Sequence, residues 1–215
     1  MNTLSPQEKI AAFFSEHSEY RLKKKDTILQ PGDDMSTIFF LRSGYVRMYS
    51  SMSDGKELTL NIFKPGTYFP LFLAFDNIEN TYFYQAMSSV SIQKAPKIEV
   101  MNFVRSHNDI LFDFTKRMTI GFHGLLTNLE KQLSGSVHRR ICSTLLMLAQ
   151  RFGKQTSQGL VISISLTHQD IADLTGIARE TASVELGKLQ LQKIIHFSHQ
   201  TILIKDVLLL EKETE

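Results

Sequence analysis

Apolar positions recur along the chain with changing periods, and each period marks a region. Near the start, Ser5, Pro6 and Glu8 precede Ile10, Phe13 and Phe14. A capping serine, a proline at the first helical position and a Ser-x-x-Glu box predict a short helix with one apolar face. From Tyr20 to Lys97 the texture changes. Short β-rich runs (Thr27–Leu29, Thr37–Leu41, Tyr45–Tyr49, Leu58–Phe63, Val90–Ile92) alternate with turn signals at Pro31-Gly32-Asp33, Ser43-Gly44, Asp54-Gly55 and Pro65-Gly66. Closely spaced short strands with glycine turns predict a small antiparallel barrel or roll, not a βαβ enzyme fold.

After Pro96 the period lengthens. Leu111, Phe114, Met118, Phe122, Leu125, Leu129 and Leu133 fall in steps of 3, 4, 4, 3, 4 and 4. One stripe from about Asn108 to Leu133 makes a helix of roughly 39 Å. Such a stripe packs either on its own domain or on a second copy. A helix longer than a small roll needs favours the second copy, with Leu111, Phe114, Met118, Phe122, Leu125 and Leu129 as the dimer seam. Ser134-Gly135-Ser136 then reads as a hinge. Beyond it a helix is predicted over Val137–Phe152, with Ile141, Leu145, Leu148 and Phe152 on one face. A strand at Leu160–Ser165 follows, then two compact helical segments around Gly176. The pair Ile194–Phe197 and Thr201–Ile204, bent at His199-Gln200, closes the chain.

The functional signal lies between Thr167 and Ile195. Thr167 caps a helix, with Asp170 three residues on at its positive end. Ala172 is small where two helices would cross, and Gly176 sits where a helix must end through left-handed backbone. Ile177 packs back, and a second helix runs from Ala178 with Ala182, Leu186 and Leu189 inward. Arg179, Glu180 and Ser183 are left near its exposed N-terminal end. This is the geometry of a helix-turn-helix, whose second helix offers its first residues to base edges. The hairpin after it forms a wing. A helical hairpin with glycine in its turn also occurs in proteins that never touch DNA.

Composition narrows the field further. The 215 residues are 42% hydrophobic and 21% charged, which excludes intrinsic disorder. Lys and Arg number 24 against 22 Asp and Glu, a formal charge of +2. No global positive field exists, so DNA binding has to be argued from local spacing. A single cysteine, Cys142, excludes a disulfide framework, a four-cysteine iron–sulfur cluster and a zinc ribbon within one chain. The longest apolar run, Tyr68 to Phe75, falls far short of the roughly 20 residues that span a membrane. No basic flank with an apolar core opens the chain, so a cytoplasmic location is expected. No metal site or cofactor is expected. His107 and His123 read as solvated or core histidines in preference to haem ligands, and Cys142 as a buried, inert thiol. Catalysis is not expected either: there is no Gly-rich phosphate loop, Gly-x-Ser-x-Gly elbow or His-Glu-x-x-His.

Gln169-Asp170-Ile171-Ala172 followed by Gly176-Ile177-Ala178-Arg179-Glu180-Thr181 resembles the helix-turn-helix signature of the cyclic-AMP receptor protein and fumarate–nitrate regulator family (CRP/FNR). The Pro31-Gly32-Asp33 turn, the Phe-Leu-x-Ser-Gly-x-Val run at Phe40–Val46 and Pro65-Gly66 are similar too. The resemblance implies an α+β chain. Residues 1–107 form an antiparallel, cyclic-nucleotide-binding-like β-roll with flanking helices. Residues 108–134 form a long dimerisation helix and hinge, and 135–215 a winged helix-turn-helix. It implies a homodimeric transcription regulator on an inverted-repeat DNA site, touching RNA polymerase if it activates.

Carried over residue by residue, Arg179 reads a guanine, and Glu180 and Ser183 join it at the bases. A guanidinium suits guanine O6 and N7, and a carboxylate accepts from cytosine N4. Thr167, His168 and Gln169 resemble backbone-contacting positions, with His199 and Lys205 of the wing as weaker ones. One departure stands out. Where members usually carry a second base-reading arginine followed by an apolar residue, this chain has Val184 and Glu185. Valine touches a thymine methyl or nothing, and Glu185 repels phosphate unless it turns away or pairs with a cation.

The sensor half departs as well. Members that bind cyclic nucleotides hold the ribose with a glutamate in a Gly-Glu-Leu run, and Pro70 takes that position within Gly66–Leu71. No Lys or Arg lies between Lys64 and Lys94, and a buried phosphate without a cation is strongly penalised. Cyclic AMP is therefore not the expected effector. Tyr68, Phe69, Phe72, Phe75, Tyr82, Phe83 and Tyr84 form either plain core or an apolar cavity. Tyr68, Phe69, Phe72, Tyr82 and Tyr84 would line such a cavity around an uncharged effector. The rival to the regulator reading is a cyclic-nucleotide-like interaction module that has lost DNA binding and contacts proteins instead.

Overall fold

The computed structural model describes residues 4–74 and 78–214, without the side chains of Phe72, Ala74, Asn128 and residues 131–134. Contacts divide the chain into two units, Met1–Ser50 with Leu60–His123 and Ser51–Thr59 with Gly124–Glu215.

Helix α1 (Pro6–Ser15) opens the first unit with its capping box in place, Ser5 Oγ accepting from the Glu8 amide at 3.3 Å. Ile10 and Phe14 are its buried face. Eight strands follow: β1 (Glu19–Leu22), β2 (Thr27–Leu29), β3 (Thr37–Ser43), β4 (Val46–Ser51), β5 (Glu57–Phe63), β6 (Tyr68–Phe69), β7 (Phe83–Ala86) and β8 (Val90–Pro96). The short α2 (Leu71–Ala74) lies between β6 and β7. The strands make two four-stranded sheets, in the orders β1-β8-β3-β6 and β2-β7-β4-β5. Gly44 shows why a turn glycine is required. Its φ is +83°, and a Cβ there would stand 2.3 Å from the Ser89 carbonyl oxygen.

Strand β3 explains the solid apolar run Ile38-Phe39-Phe40-Leu41. Phe39 and Leu41 face an inner core with Val46, Phe69, Tyr84 and Ile92. Ile38 and Phe40 face a second core with α1 and with helix α3 (Lys97–Ser106). A strand buried on both faces loses the alternation that marks a half-exposed one.

The long helix α4 (Asn108–Ser134) begins after a corner at His107, whose backbone is extended at φ −126° and ψ 93°. His107 Nδ1 lies 2.8 Å from the Phe103 carbonyl oxygen, and its ring lies 4.4 Å from that of Phe103. This histidine builds the corner between two helices. The stripe from Asn108 to Leu133 is α4, and the stretch between Pro96 and that stripe forms the further helix α3.

In the second unit, Ser136 caps α5 (Val137–Phe152), its Oγ accepting from the Arg139 amide at 3.3 Å. Then come β9 (Gly153–Thr156), β10 (Gly159–Ile162), α6 (His168–Thr175), α7 (Arg179–Leu191), β11 (Ile195–Ser198), β12 (Thr201–Ile204) and α8 (Val207–Lys212). The sheet order is β11-β12-β10-β9. The strand expected at Leu160–Ser165 ends at Ile162, although Ile164 and Leu166 remain buried beyond it. His199 and Gln200 both take positive φ, 49° and 66°, as a two-residue hairpin turn of this twist requires. Cys142 is fully buried, and burial with the nearby Glu213 and Glu185 carboxylates pushes its thiol up to about 12. A thiol so placed forms little thiolate at neutral pH.

Candidate nucleic-acid interface

Helix α6 starts at Thr167, whose hydroxyl donates to Asp170 Oδ2 at 2.6 Å and accepts from the Asp170 amide at 3.1 Å. Asp170 in turn accepts from the Thr167 amide at 2.7 Å. Two otherwise unmet amides are satisfied at once. The helix ends at Gly176, left-handed at φ 65° and ψ 36°. Helix α7 then presents one buried side, Ala182, Glu185, Leu186 and Leu189. Arg179, Glu180, Thr181 and Val184 stay exposed, Glu180 and Val184 on the side opposite the buried one.

Polar contacts fix this arrangement. His168 Nδ1 lies 3.1 Å from Ser183 Oγ, and its ring lies 4.6 Å from that of Phe197 in β11. One histidine thus touches the first helix, the second helix and the wing. Ser183 is half-buried, and its hydroxyl keeps one further hydrogen-bonding capacity whichever way the shared proton lies. Gln169 is exposed and donates to Asp173 Oδ1 at 2.7 Å. The Thr167 hydroxyl proton is committed to Asp170, so that side chain offers phosphate no donor. His199 and Lys205 are exposed on the wing hairpin and just after it.

Glu185 does not face outward. It is 8% exposed, with Oε2 2.8 Å from His138 Nδ1 and Oε1 accepting from Lys188 Nζ at 2.6 Å. The other ring nitrogen of His138 lies 3.0 Å from Glu213 Oε2. Burial pushes the Glu185 carboxyl up, but the bonds from Lys188 and His138 outweigh it and hold the group below its ordinary range. The carboxylate both turns away and meets a cation, which removes the repulsion its sequence position suggested. No motif pointed to His138 or Glu213. Their partners lie 47 and 75 residues away in sequence, beyond any local spacing rule.

The Crp-like helix-turn-helix domain family matches residues 139–213, and the cyclic nucleotide-binding domain family matches residues 19–107. This chain belongs to the CRP/FNR family. A global nitrogen regulator of Nostoc sp. is 25% identical to it over 197 residues, covering 89% of this chain and 86% of that protein. A CRP-like cAMP-activated global transcriptional regulator of Mycobacterium tuberculosis is 24% identical over 197 residues, covering 92% and 88%. The solved structure of a double mutant of CooA from Carboxydothermus hydrogenoformans matches with a TM-score of 0.81 at 25% identity, covering 95% and 90%. The chain is thus a DNA-binding transcription regulator and not an enzyme.

In this CRP/FNR regulator the aromatic residues named for an effector do not share one cavity. Tyr68 and Phe69 are neighbours on β6 and point to opposite faces. Tyr68 joins the core beneath α1, α3 and α4, whereas Phe69 and Tyr84 join the core between the sheets. Tyr82 packs at the edge of that inner core. Phe75 lies outside the described residues, as does the side chain of Phe72. Phe69 and Tyr84 stack with centroids 5.4 Å apart and planes within 4°, and Phe63 lies 5.0 Å from Phe69. Rings this close leave no slot for a ligand ring. A hollow of about 760 Å³ lies elsewhere in the first unit, bordered by Asp33, Asp34, Lys97 and Arg105.

The long helix carries the opposite surface. Met118, Phe122, Leu125 and Leu129 are 43%, 62%, 54% and 54% exposed, and Leu111 and Phe114 are half-buried against the roll. No described helix is long and apolar enough to cross a membrane.

Proposed function

We propose that this regulator binds an inverted-repeat DNA site as a homodimer, with α7 of each subunit in the major groove. Arg179 and Glu180 read bases, and Ser183, steadied by His168, adds a base contact through its remaining hydrogen-bonding capacity. The observation that carries this reading is the exposed first turn of α7, held behind a capped helix and a left-handed glycine turn. His168, Gln169 and His199 set the register on phosphates. Thr167 acts only as the cap of α6. Two copies pair through Leu111, Phe114, Met118, Phe122, Leu125 and Leu129, because the last four of that stripe are exposed and need a cover. The protein works in the cytoplasm beside the DNA it reads, touching RNA polymerase where it activates.

Cyclic AMP is not the effector. No Lys or Arg lies between Lys64 and Lys94 to neutralise a phosphate. The inner core is shut by stacked rings, so DNA binding needs no ligand there. Any small effector is uncharged and has to displace packed aromatics.

Selection of bound duplexes from a random pool tests the reading. Ligand-free protein is expected to enrich an inverted repeat with half-site centres about 34 Å apart. Arg179→Ala is expected to weaken binding by about 1–3 kcal/mol and relax one G·C pair. A consensus without two-fold symmetry, or binding that appears only with cyclic AMP, overturns it.

A further inference from the structure

We infer that Val184 is a specificity-determining residue that recognises a thymine methyl group, one turn along α7 from Glu180. The inference rests on the reading that α7 lies in the major groove. Burial of Ala182, Glu185, Leu186 and Leu189 fixes the rotation of the helix. Glu185 is pinned at two oxygens by His138 and Lys188, so α7 cannot roll to bring Val184 inward without breaking both contacts. Val184 is accordingly 58% exposed, on the side that carries Glu180, Thr181 and Lys188.

Its surroundings narrow what it can do. Lys188 turns back to Glu185 at 2.6 Å, and the Ser183 hydroxyl is engaged by His168 at 3.1 Å. Val184 therefore presents a branched apolar group beside Lys188, which is turned away to Glu185, and beside Ser183, which has one hydrogen-bonding capacity left. In the major groove the one apolar feature of a base edge is the C5 methyl of thymine. A guanine or adenine edge at that place would lose water from its acceptors and gain no donor. The residue therefore selects an A·T pair by contact with one methyl.

Duplexes carrying the selected site, with each thymine replaced singly by deoxyuridine, remove only that methyl. Wild-type protein is expected to bind about fourfold more weakly per half-site at one thymine position, the effect of one buried methyl. Val184→Ala is expected to bind thymine and deoxyuridine duplexes within about 1.5-fold of each other there, and Val184→Arg to move the preference to guanine. Specific binding in which no thymine methyl matters, or in which the same methyl matters equally in Val184→Ala, overturns the inference alone. Binding without any sequence preference overturns the regulator reading with it. Because Val184 is exposed, neither variant disturbs the core, and an unchanged melting temperature checks this.

Discussion

Between the sheets of the roll, space is closed by stacked aromatic rings, whereas the DNA-binding unit is pinned by polar contacts and keeps the first turn of α7 outside. Phe63, Phe69 and Tyr84 lie nearly parallel at 5.0–5.9 Å. In the other unit His138, Glu185, Lys188 and Glu213 tie α5, α7 and the end of the chain together at 2.6–3.0 Å. Apolar packing is adaptable and non-directional, so it tolerates change of sequence so long as volume is kept. Hydrogen bonds are directional, and they fix the rotation of one helix. A region that must present chosen atoms to a partner uses the second device.

The largest effect should come from the surface that neither device closes. Replacing Phe122 and Leu125 by Glu is expected to give monomers by light scattering and about a 10²–10⁴-fold loss on the specific site, the scale of lost bivalency. A variant that stays dimeric puts the seam elsewhere. Next is the closed roll. Phe69→Ala should cost about 3–5 kcal/mol by urea unfolding, with part of it restored by a small apolar ligand such as benzene in the new cavity. If benzene stabilises the wild type equally, the roll is already hollow and the contrast between regions fails.

Glu185→Gln should cost about 1.5–3 kcal/mol at neutral pH, the scale of hydrogen bonds to a charged group. The folded-state carboxyl is held below its ordinary value of 4.5, so its stabilisation is full above that value. It is lost as pH falls through the lowered value. Wild type and variant should therefore converge in acid, as urea midpoints at pH 7 and pH 3 would show; a constant gap would assign the stabilisation to packing. Smallest is Tyr84→Phe. The Tyr84 hydroxyl is buried and has no hydrogen-bond partner among the described residues. Removing it should raise stability by about 1 kcal/mol, and a loss in thermal denaturation would reveal a partner for that hydroxyl.

Much of this was legible in the sequence because it depends on neighbours. The Ser5–Glu8 and Thr167–Asp170 boxes, the Gly176 turn and the inward Ala182, Leu186 and Leu189 all follow from spacings of three and four. Strand β1 was missed because Glu19–Leu22 is an exposed edge without alternation, and β9 because Gly153–Thr156 is polar. Strand β6 has two residues, too few for any period, and β7 lay inside what read as an aromatic cluster. The division of Tyr68 from Phe69 could not be read at all, since it depends on which sheet face meets helices. The same holds for Glu185: its position on α7 suggested phosphate, and only distant His138 explains where it points.

Two glycines in α4 carry a consequence for how the protein responds to its own amount. Gly121 and Gly124 lie mid-helix, where a Cβ would meet nothing within 4 Å in the single chain. Each weakens the helix by about 1 kcal/mol relative to alanine, in the stretch where Ile120, Phe122, Leu125 and Leu126 are exposed. In the proposed dimer a second copy covers this stretch, so firming the helix and pairing become one second-order event. At low abundance the DNA-competent form then grows with the square of the subunit concentration. For a regulator whose sensor core is filled by its own side chains, the rate at which it is synthesised and degraded is itself an input.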